Sequence, residues 1–204
     1  MAKNIFSNHK TTLIRNMKNR CPWPKEDALM IRYHDNEWGV QLHDDNKLFE
    51  FMVLDSFQAG LSWQIVLRKR ENFRKAFAKF NIKKIAAFND EDIQRLLNDE
   101  GIIRNRLKII ATIENAKAFL NVQKEFGSFD KYIWQFVNNK QILNKCKTLS
   151  DIQASTKESD LMSKDLKKKG FRFVGTTICY AFMQAAGLVN DHIITCPRYK
   201  EVQK

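Results

Sequence analysis

Apolar residues recur three or four positions apart along most of the chain, the spacing that gathers them on one face of a helix. Strict alternation of apolar and polar residues never persists long enough for a sheet, and seven glycines and three prolines are few for a turn-rich chain of 204 residues. We therefore predict a nearly all-α fold. The predicted helices are a short one leading from Asp27 into His34 and further ones over 47–60, 63–80, 93–97, 102–126, 129–137, 159–169 and 176–186.

Helix ends carry signals of their own. Asn89 or Asp90, and further along Ser159 or Asp160, have side chains that can cap a helix N-terminus. Residues 141–155 are predicted to form a polar connection. The outer face of the predicted helix 63–80 carries cations that we expect to lie in solvent: Arg68, Lys69, Arg70, Arg74 and Lys75.

The most unusual stretch is residues 33–39, YHDNEWG, where we predict that a helix ends and a loop begins at the glycine. The combination of Tyr33, His34 and Trp38 is unusual for a solvent-exposed turn. Two interpretations stay open. The rings are core and His34 is a buried, hydrogen-bonded histidine, or the stretch belongs to a functional site.

The net charge of the protein indicates which class of molecule it binds. A formal net charge of +12 favours a polyanion, with nucleic acid ahead of an anionic membrane, although a merely soluble basic protein is the alternative. No run of eighteen apolar residues exists, so no transmembrane span is expected. Four cysteines in a chain of this length do not resemble a disulfide framework and favour a reducing cytoplasm.

Residues 1–20 carry five cations and no acid, and they lack the apolar centre of a secretory signal. We predict that they form a flexible basic arm. Such an arm can contact DNA phosphates, and a leader without a role is the equal alternative.

A pair of candidate metal ligands lies near each end of the chain. His192 and Cys196 are four residues apart, a spacing found in zinc sites, and Cys21 and His34 are the candidates at the other end. A tetrahedral Cys2His2 site with no open position would be structural and would tie the two ends together. The alternative is an unrelated thiol and a surface histidine.

A glycine-bounded turn follows the lysine-rich helix predicted over 159–169. Backbone N–H groups at a helix start attract phosphate, and nearby charge comes from Lys168, Lys169 and Arg172. Gly175 and Thr176 would then contact DNA as in a helix-hairpin-helix element, which grips the backbone without reading sequence. An ordinary hairpin with a solvated charged face is the alternative.

A third candidate site combines a carboxylate with aromatic rings. Asp55 stands near a predicted helix end, and Trp63 follows eight residues later. Tyr33, Trp38 and Trp63 could stack on a flat ligand, and the carboxylate would favour one that carries positive charge or exocyclic N–H groups. The alternative is that these aromatics are simply core.

Six motifs in order resemble 3-methyladenine DNA glycosylase I, and the resemblance covers nearly everything between residues 21 and 196. They are CPW at 21–23, YHDNEWG at 33–39, QAGLSW at 58–63, GIIR at 101–104, FVGTTICY at 173–180 and VNDH at 189–192. The resemblance implies a helix-hairpin-helix glycosylase fold in which residues 21–204 form one unit of two helical lobes. It also implies one zinc ion per chain, held by Cys21, His34, His192 and Cys196.

The resemblance further implies a base pocket lined by Tyr33, Trp38 and Trp63, with Trp23 close by. Asp55 holds the place of the base-recognising carboxylate, which in the family is commonly Glu, and Ser56 replaces the glycine that usually follows. Met30 stands where family members can carry tyrosine. These departures affect base recognition rather than the scaffold.

The expected activity is removal of 3-methyladenine from alkylated double-stranded DNA, with Leu61 as a wedge in the gap left by the flipped base. No lysine in these motifs is placed for Schiff-base chemistry, so we expect a monofunctional enzyme, and a monomer would suffice. Asp191 is either a catalytic carboxylate or a residue that orients His192 or acts as a cap. The competing hypotheses are a non-catalytic damage-binding protein and a zinc-stapled helical interaction module.

Overall fold

The computed structural model describes residues 17–203, so most of the predicted basic arm lies outside the described residues. Helices dominate this part of the chain, which confirms the predicted class. They are α1 Ala28–Asn36, α2 Asp45–Gln58, α3 Trp63–Ala76, α4 Ile82–Ala86, α5 Asp90–Asn98, α6 Arg106–Phe126, α7 Phe129–Trp134, α8 Lys157–Lys168, α9 Thr176–Ala185 and α10 Pro197–Glu201. Short 3-10 turns cover Ala78–Phe80, Gln135–Val137 and Leu149–Asp151.

Helix α2 is the centre of the core. Residues 48–57 are buried without interruption, and the helix packs against α3, α6, α7 and α9. A helix that is buried all round needs neighbours on every side, which explains the long apolar run in its sequence. Asp44 caps its N-terminus by accepting a hydrogen bond from the Lys47 amide.

Several predicted helix starts were wrong by a few residues. Helix α6 begins at Arg106 behind the cap Asn105, four residues later than predicted. Helix α8 begins at Lys157, because Thr156 and Ser159 form a capping box in which Ser159 lies inside the first turn. For α5 the cap is Asn89.

The end of α3 was also wrong. The predicted helix 63–80 stops at Ala76, and Ala78, Lys79 and Phe80 have φ angles of 50°, 56° and 56°. Phe77 and Phe80 are buried, so tertiary packing of these rings offsets the cost of the left-handed backbone. The prediction missed α4, which follows this turn and packs on α6.

Arg70 does not lie on the outer face of α3. It is 6% exposed, donates to Glu37 at 2.6 Å and to Glu50 at 2.5 Å, and its guanidinium lies 5.0 Å from the Phe51 ring. The cation is buried because two acids from other elements meet it there.

The two ends of the described chain meet beside α1. The backbone after α1 runs along the end of α9, with hydrogen bonds from Gly39 N to Gln184 O and from Leu42 N to Ala186 O. Gly187 has φ +71°, and a Cβ there would lie 2.3 Å from the Val40 backbone, so only glycine fits. Within the predicted polar connection, β1 (Ile142–Leu143) pairs in parallel with β2 (Val189–Asn190).

Candidate functional site

Four aromatic rings line a cavity of about 390 Å³. Trp23 precedes α1, Tyr33 lies on it, Trp38 follows it, and Trp63 is the first residue of α3. The centroids of Trp23 and Trp38 are 5.1 Å apart, and those of Tyr33 and Trp63 are also 5.1 Å apart. The rings predicted from the sequence are therefore brought together, and they form a wall with space in front of it.

Asp55 projects from α2 to line the same cavity. The residue is 2% exposed, and its Oδ2 has no hydrogen-bond partner among residues 17–203. Burial raises the pKa of this carboxyl well above its usual range, while the Arg70 charge acts in the opposite direction. A ligand that brings positive charge or N–H donors would satisfy this oxygen.

Met30, which the sequence marked as a departure that affects base recognition, also lines the cavity. The other lining residues were not predicted as site residues, and they are Gln58, Leu149, Ile152, Ala181 and Gln184. Gln184 is the polar residue among them on α9, and its Nε2 donates to Asp191 Oδ2 at 2.7 Å. Nothing local in the sequence marks it, because only the packing of α9 against the segment after α1 turns it toward the rings.

Beside the cavity lies a cluster of the four predicted metal ligands. The ligand atoms of Cys21, His34, His192 and Cys196 all lie within 4.8 Å of one another, and all four residues are buried. Cys21 Sγ is 3.7 Å from His192 Nδ1, and Cys196 Sγ is 3.7 Å from His34 Nε2. Tetrahedral zinc with Zn–S of about 2.3 Å and Zn–N of about 2.0 Å separates S and N ligand atoms by roughly 3.5 Å. The cluster therefore fits a metal ion.

Neighbouring groups orient both imidazoles toward the centre of the cluster. His34 Nδ1 hydrogen-bonds Asp35 Oδ1 at 2.7 Å, and Asp35 also accepts two bonds of 2.8 Å from Arg20. His192 Nε2 donates to the Trp38 carbonyl at 2.9 Å. Each ring thus has one nitrogen engaged outside the cluster and the other free to bind metal, as metal-binding histidines do.

The pKa values of the cluster depend on burial and on the contact between its two thiols. Burial lowers the pKa of His192, which favours the neutral imidazole that binds metals. The hydrogen bond between the two thiols lowers the pKa of Cys196 and raises the pKa of Cys21, so the pair by itself favours one thiolate and one thiol. The Ile193 amide also donates to Cys21 Sγ at 3.3 Å, as an amide does to a ligating sulfur.

The sequence is similar to known proteins along most of its length. A family described as methyladenine glycosylase matches residues 23–199. DNA-3-methyladenine glycosylase 1 of Escherichia coli (strain K12) is 53% identical over 180 residues, which is 88% of this chain and 96% of that protein. DNA-3-methyladenine glycosylase of Haemophilus influenzae (strain ATCC 51907 / DSM 11121 / KW20 / Rd) is 48% identical over 181 residues, which is 89% and 98%.

The chain belongs to the methyladenine glycosylase family. It is therefore an enzyme, a glycosylase, and the resemblance to 3-methyladenine DNA glycosylase I is confirmed. A crystal structure of 3-methyladenine DNA glycosylase I superposes with a TM-score of 0.85 at 52% identity, covering 87% of this chain and 98% of that one. A structure described as the basis of 3-methyladenine recognition by the Staphylococcus aureus protein gives a TM-score of 0.86 at 34% identity, covering 91% and 97%.

Asp191 of this glycosylase does not orient His192. Its carboxylate accepts from Tyr180 at 2.8 Å, from Gln184 at 2.7 Å and from Asn144 at 2.6 Å. With three donors around it, Asp191 holds α9 to the segment after β1. The carboxylate that hydrogen-bonds a histidine of the cluster is instead Asp35.

The predicted DNA contacts fall on two exposed turns of the glycosylase. Leu61 is 41% exposed and follows Gly60, whose φ is +79°. On the other turn, Gly175 is the N-cap residue of α9, which has no side-chain cap, and a Cβ built there would meet nothing within 4 Å. Both turns are open to solvent, so a macromolecule as large as DNA could approach them.

The polar side chains predicted to contact DNA around the Gly175 turn differ in how freely they can reach a DNA phosphate. Lys168 and Arg172 are exposed. Arg172 lies 3.3 Å from Glu114, and Lys169 is paired with Glu125 at 2.9 Å and packed over the Phe126 ring. The Thr176 hydroxyl donates to Asp160 at 2.5 Å, so this side chain ties α9 to α8. Lys168 and the open backbone at Gly175 are thus the most accessible of these groups.

Proposed function

We propose that the enzyme hydrolyses the N-glycosidic bond of 3-methyladenine in alkylated double-stranded DNA, releasing the free base and leaving an abasic site. The observation that carries the proposal is the open Oδ2 of Asp55 inside an aromatic cavity. Relatives that cover most of the chain are named DNA-3-methyladenine glycosylases, which supports the same substrate.

Recognition of the base depends on its charge. Methylation at N3 makes adenine formally cationic, which weakens the glycosidic bond before any enzyme acts. The damaged nucleotide flips out at a cost of a few kcal/mol, less where pairing is already impaired. Stacking on Tyr33, Trp38 and Trp63 then favours the cationic base over a neutral one by roughly 0.5–2 kcal/mol. Trp23, in edge contact with Trp38, completes the wall.

Asp55 recognises the base edge rather than removing a proton from water. Without a ligand, burial favours the neutral carboxyl. A cationic base in the cavity favours the carboxylate, and the pair of opposite charges gains most when water is excluded. Water then attacks C1′ of the sugar as the bond from C1′ to the base breaks. The base takes the electron pair of that bond and leaves as neutral 3-methyladenine, and the proton of the attacking water passes to solvent. Asp is one methylene shorter than the Glu common in the family, so its contact with the base is longer or passes through a water molecule.

Two departures from the family are accommodated around Asp55. The Ser56 hydroxyl donates to Met52 O at 2.8 Å and reaches Phe173 O at 3.4 Å, so its polar atom is satisfied on the side of α2 away from the cavity. Met30 supplies a flexible apolar contact in the cavity lining.

The reaction ends with base release. Within the described part of the chain, residues 17–203, no lysine lines the cavity. Strand cleavage by a bifunctional glycosylase requires a Schiff base between an amine of the enzyme and the sugar. Among the described residues, the cavity therefore lacks the lysine nucleophile that would form it. This supports a monofunctional enzyme.

DNA is held by the two exposed turns. We assign α8, the connection 169–175 and α9 as a helix-hairpin-helix element in which Gly175 and Thr176 offer backbone N–H groups to phosphate, with Lys168, Lys169 and Arg172 adding charge. Leu61 enters the gap left by the flipped base. One chain builds both turns and the cavity, so a monomer suffices.

The cluster of Cys21, His34, His192 and Cys196 holds one structural zinc ion. Four protein ligands fill a tetrahedral site, so no position is open for water or substrate. Such an ion stabilises the junction between the two ends of the chain and takes no part in bond cleavage.

The test is analysis of what the protein releases from DNA. Purified enzyme incubated with methylated duplex DNA should release 3-methyladenine, identified by chromatography, and leave alkali-labile abasic sites without cutting the strand directly. Release of unmodified adenine at a similar rate would contradict recognition by charge. Tight binding of methylated DNA without release of any base would favour the non-catalytic damage-binding protein instead.

A further inference from the structure

Lys108 is a buried lysine in the first turn of α6. It is 6% exposed, and its Nζ donates to Phe57 O at 2.9 Å and to Ala59 O at 2.6 Å. Both acceptors are main-chain carbonyls rather than a carboxylate. Burying an ammonium group is costly, and burial lowers the pKa of Lys108 accordingly. The contacts of Lys108 must therefore offset this cost.

The contacts of Lys108 are at the C-terminus of α2. The last four carbonyls of a helix lack intrahelical partners, and this end attracts cations. The last turn of α2 contains no basic residue of its own. The ammonium of Lys108 therefore supplies, from α6, the positive group that the end of α2 lacks.

The backbone that Lys108 holds leads directly to the proposed wedge. We name residues 57–61 the wedge turn. Gln58 lines the cavity, its carbonyl accepts from the Leu61 amide at 2.6 Å, and Leu61 is exposed at the tip. Asp55 lies on the same helix one turn earlier. Anything that displaces the wedge turn moves Leu61 relative to the cavity.

The same face of α6 also holds the connection between α8 and α9, residues 169–175, which we name the hairpin turn. The Asn115 side chain accepts from Arg172 N at 2.7 Å and donates to Arg172 O at 3.0 Å. Lys108 and Asn115 are seven residues apart, so they lie two turns apart on one side of the helix. Lys108 Nζ also lies 6.0 Å from the centre of the Phe173 ring.

We propose that Lys108 is a positioning residue that fixes the wedge turn relative to the hairpin turn, so that Leu61 enters the duplex at a set distance from the gripped backbone. Helix α6 is the rigid spacer between the two turns. This inference rests on the proposed function for the roles of Leu61 and the hairpin turn. The contacts of Lys108 with Phe57 O and Ala59 O are independent of the proposed function.

The test compares three variants. Lys108→Met removes the charge and the donors at similar length, Lys108→Arg keeps both, and Lys117→Met is the matched control, because Lys117 is exposed on the same helix. Three quantities are measured: the single-turnover rate of 3-methyladenine release from duplex DNA, the affinity for free 3-methyladenine by tryptophan fluorescence, and amide hydrogen exchange over residues 57–63.

We expect Lys108→Met to lower the single-turnover rate at least tenfold while affinity for the free base changes less than twofold. Amide exchange over 57–63 should rise at least tenfold. Lys108→Arg should recover the rate to within about threefold of the parent enzyme. Lys117→Met should leave all three quantities unchanged. Loss of rate with retained base affinity distinguishes positioning from a damaged cavity.

Three results would overturn the inference. One is an unchanged rate in Lys108→Met. Another is an equal loss of rate and free-base affinity that Lys108→Arg does not recover, which would make the lysine merely structural. The third is unchanged exchange over 57–63. If the parent enzyme releases no 3-methyladenine, the proposed function fails by itself, and the exchange comparison still decides whether Lys108 holds the wedge turn.

Discussion

The aromatic cavity and the Cys2His2 cluster are neighbours that differ in the hydrogen bonding of their polar atoms. Trp38 belongs to both, since its ring lines the cavity and its carbonyl accepts from His192. In the cluster every imidazole nitrogen has a neighbour, and Asp35 in turn is bonded to Arg20. In the cavity, Asp55 Oδ2, Trp23 Nε1 and Trp63 Nε1 have no hydrogen-bond partner within residues 17–203.

This difference in hydrogen bonding indicates that the cluster contributes mainly to stability and the cavity mainly to activity. Polar groups that satisfy one another fix a structure, whereas a buried polar group without a partner costs stability and is retained for a ligand. We therefore expect changes in the cluster to act on folding and changes in the cavity to act on excision, although the two regions share α1.

Removing a cluster ligand should act on stability first. Cys196→Ser should lower the free energy of unfolding by at least about 3 kcal/mol, because metal binding is coupled to folding, and the melting temperature by roughly 6–12 °C. The excision rate of the folded fraction should change less than about threefold. Calorimetry, metal analysis and single-turnover assays measure these three quantities, and the parent protein should contain one zinc per chain.

Cys146→Ser is the control for that prediction, because Cys146 is buried outside the cluster. It should cost no more than about 1 kcal/mol and leave the metal content unchanged. A Cys196→Ser protein that keeps its melting temperature and loses only excision would mean that the metal is catalytic.

Removing the cavity charge should act on activity first. Asp55→Asn keeps the shape but loses the charged hydrogen bond to the base, worth about 2–3 kcal/mol, so single-turnover excision should fall roughly 30- to 150-fold. The melting temperature at neutral pH should not fall, because the buried carboxyl group has no protein partner to lose at Oδ2. Asp55→Glu, which keeps the charge, should retain more activity than Asp55→Asn. Equal rates for the parent enzyme and Asp55→Asn would remove Asp55 from the mechanism.

The smallest effect concerns pH. Burial raises the folded-state pKa of Asp55, so between the usual carboxyl pKa and this raised value the folded protein holds a proton that the unfolded chain has released. The contribution of Asp55 to stability is therefore complete at low pH and is lost as pH rises through that window. Urea denaturation from pH 4 to 8 should show the parent protein losing stability relative to Asp55→Asn. A difference that stays constant with pH would show that the carboxyl titrates normally.

Local signals in the sequence were reliable where a few neighbouring residues decide the structure. Asn89, one of the two predicted candidates, caps α5, because a cap needs only its own side chain and the next helical turn. The sequence also identified the residues that form the cavity wall and the cluster, since their motifs match a known family. The assignment of catalytic and DNA-binding roles to individual side chains stays a prediction.

Arg70 shows where local reasoning failed. Helical periodicity placed it among solvent-facing cations, but Glu37 and Glu50 approach it from other elements and draw it inward. The early end of α3 has a similar cause, since burial of the Phe77 and Phe80 rings overrides helix propensity.

By itself the sequence determined the helical class, most helix starts to within a few residues and which residue types the cavity and the cluster contain, because these depend on side-chain type and on short spacings. Only the tertiary structure decided that Tyr33 and Trp38 are both core and cavity wall, that Gln184 faces them and that Asp55 keeps an open oxygen. Burial and hydrogen bonding arise between residues far apart in the chain. No local pattern contains that information.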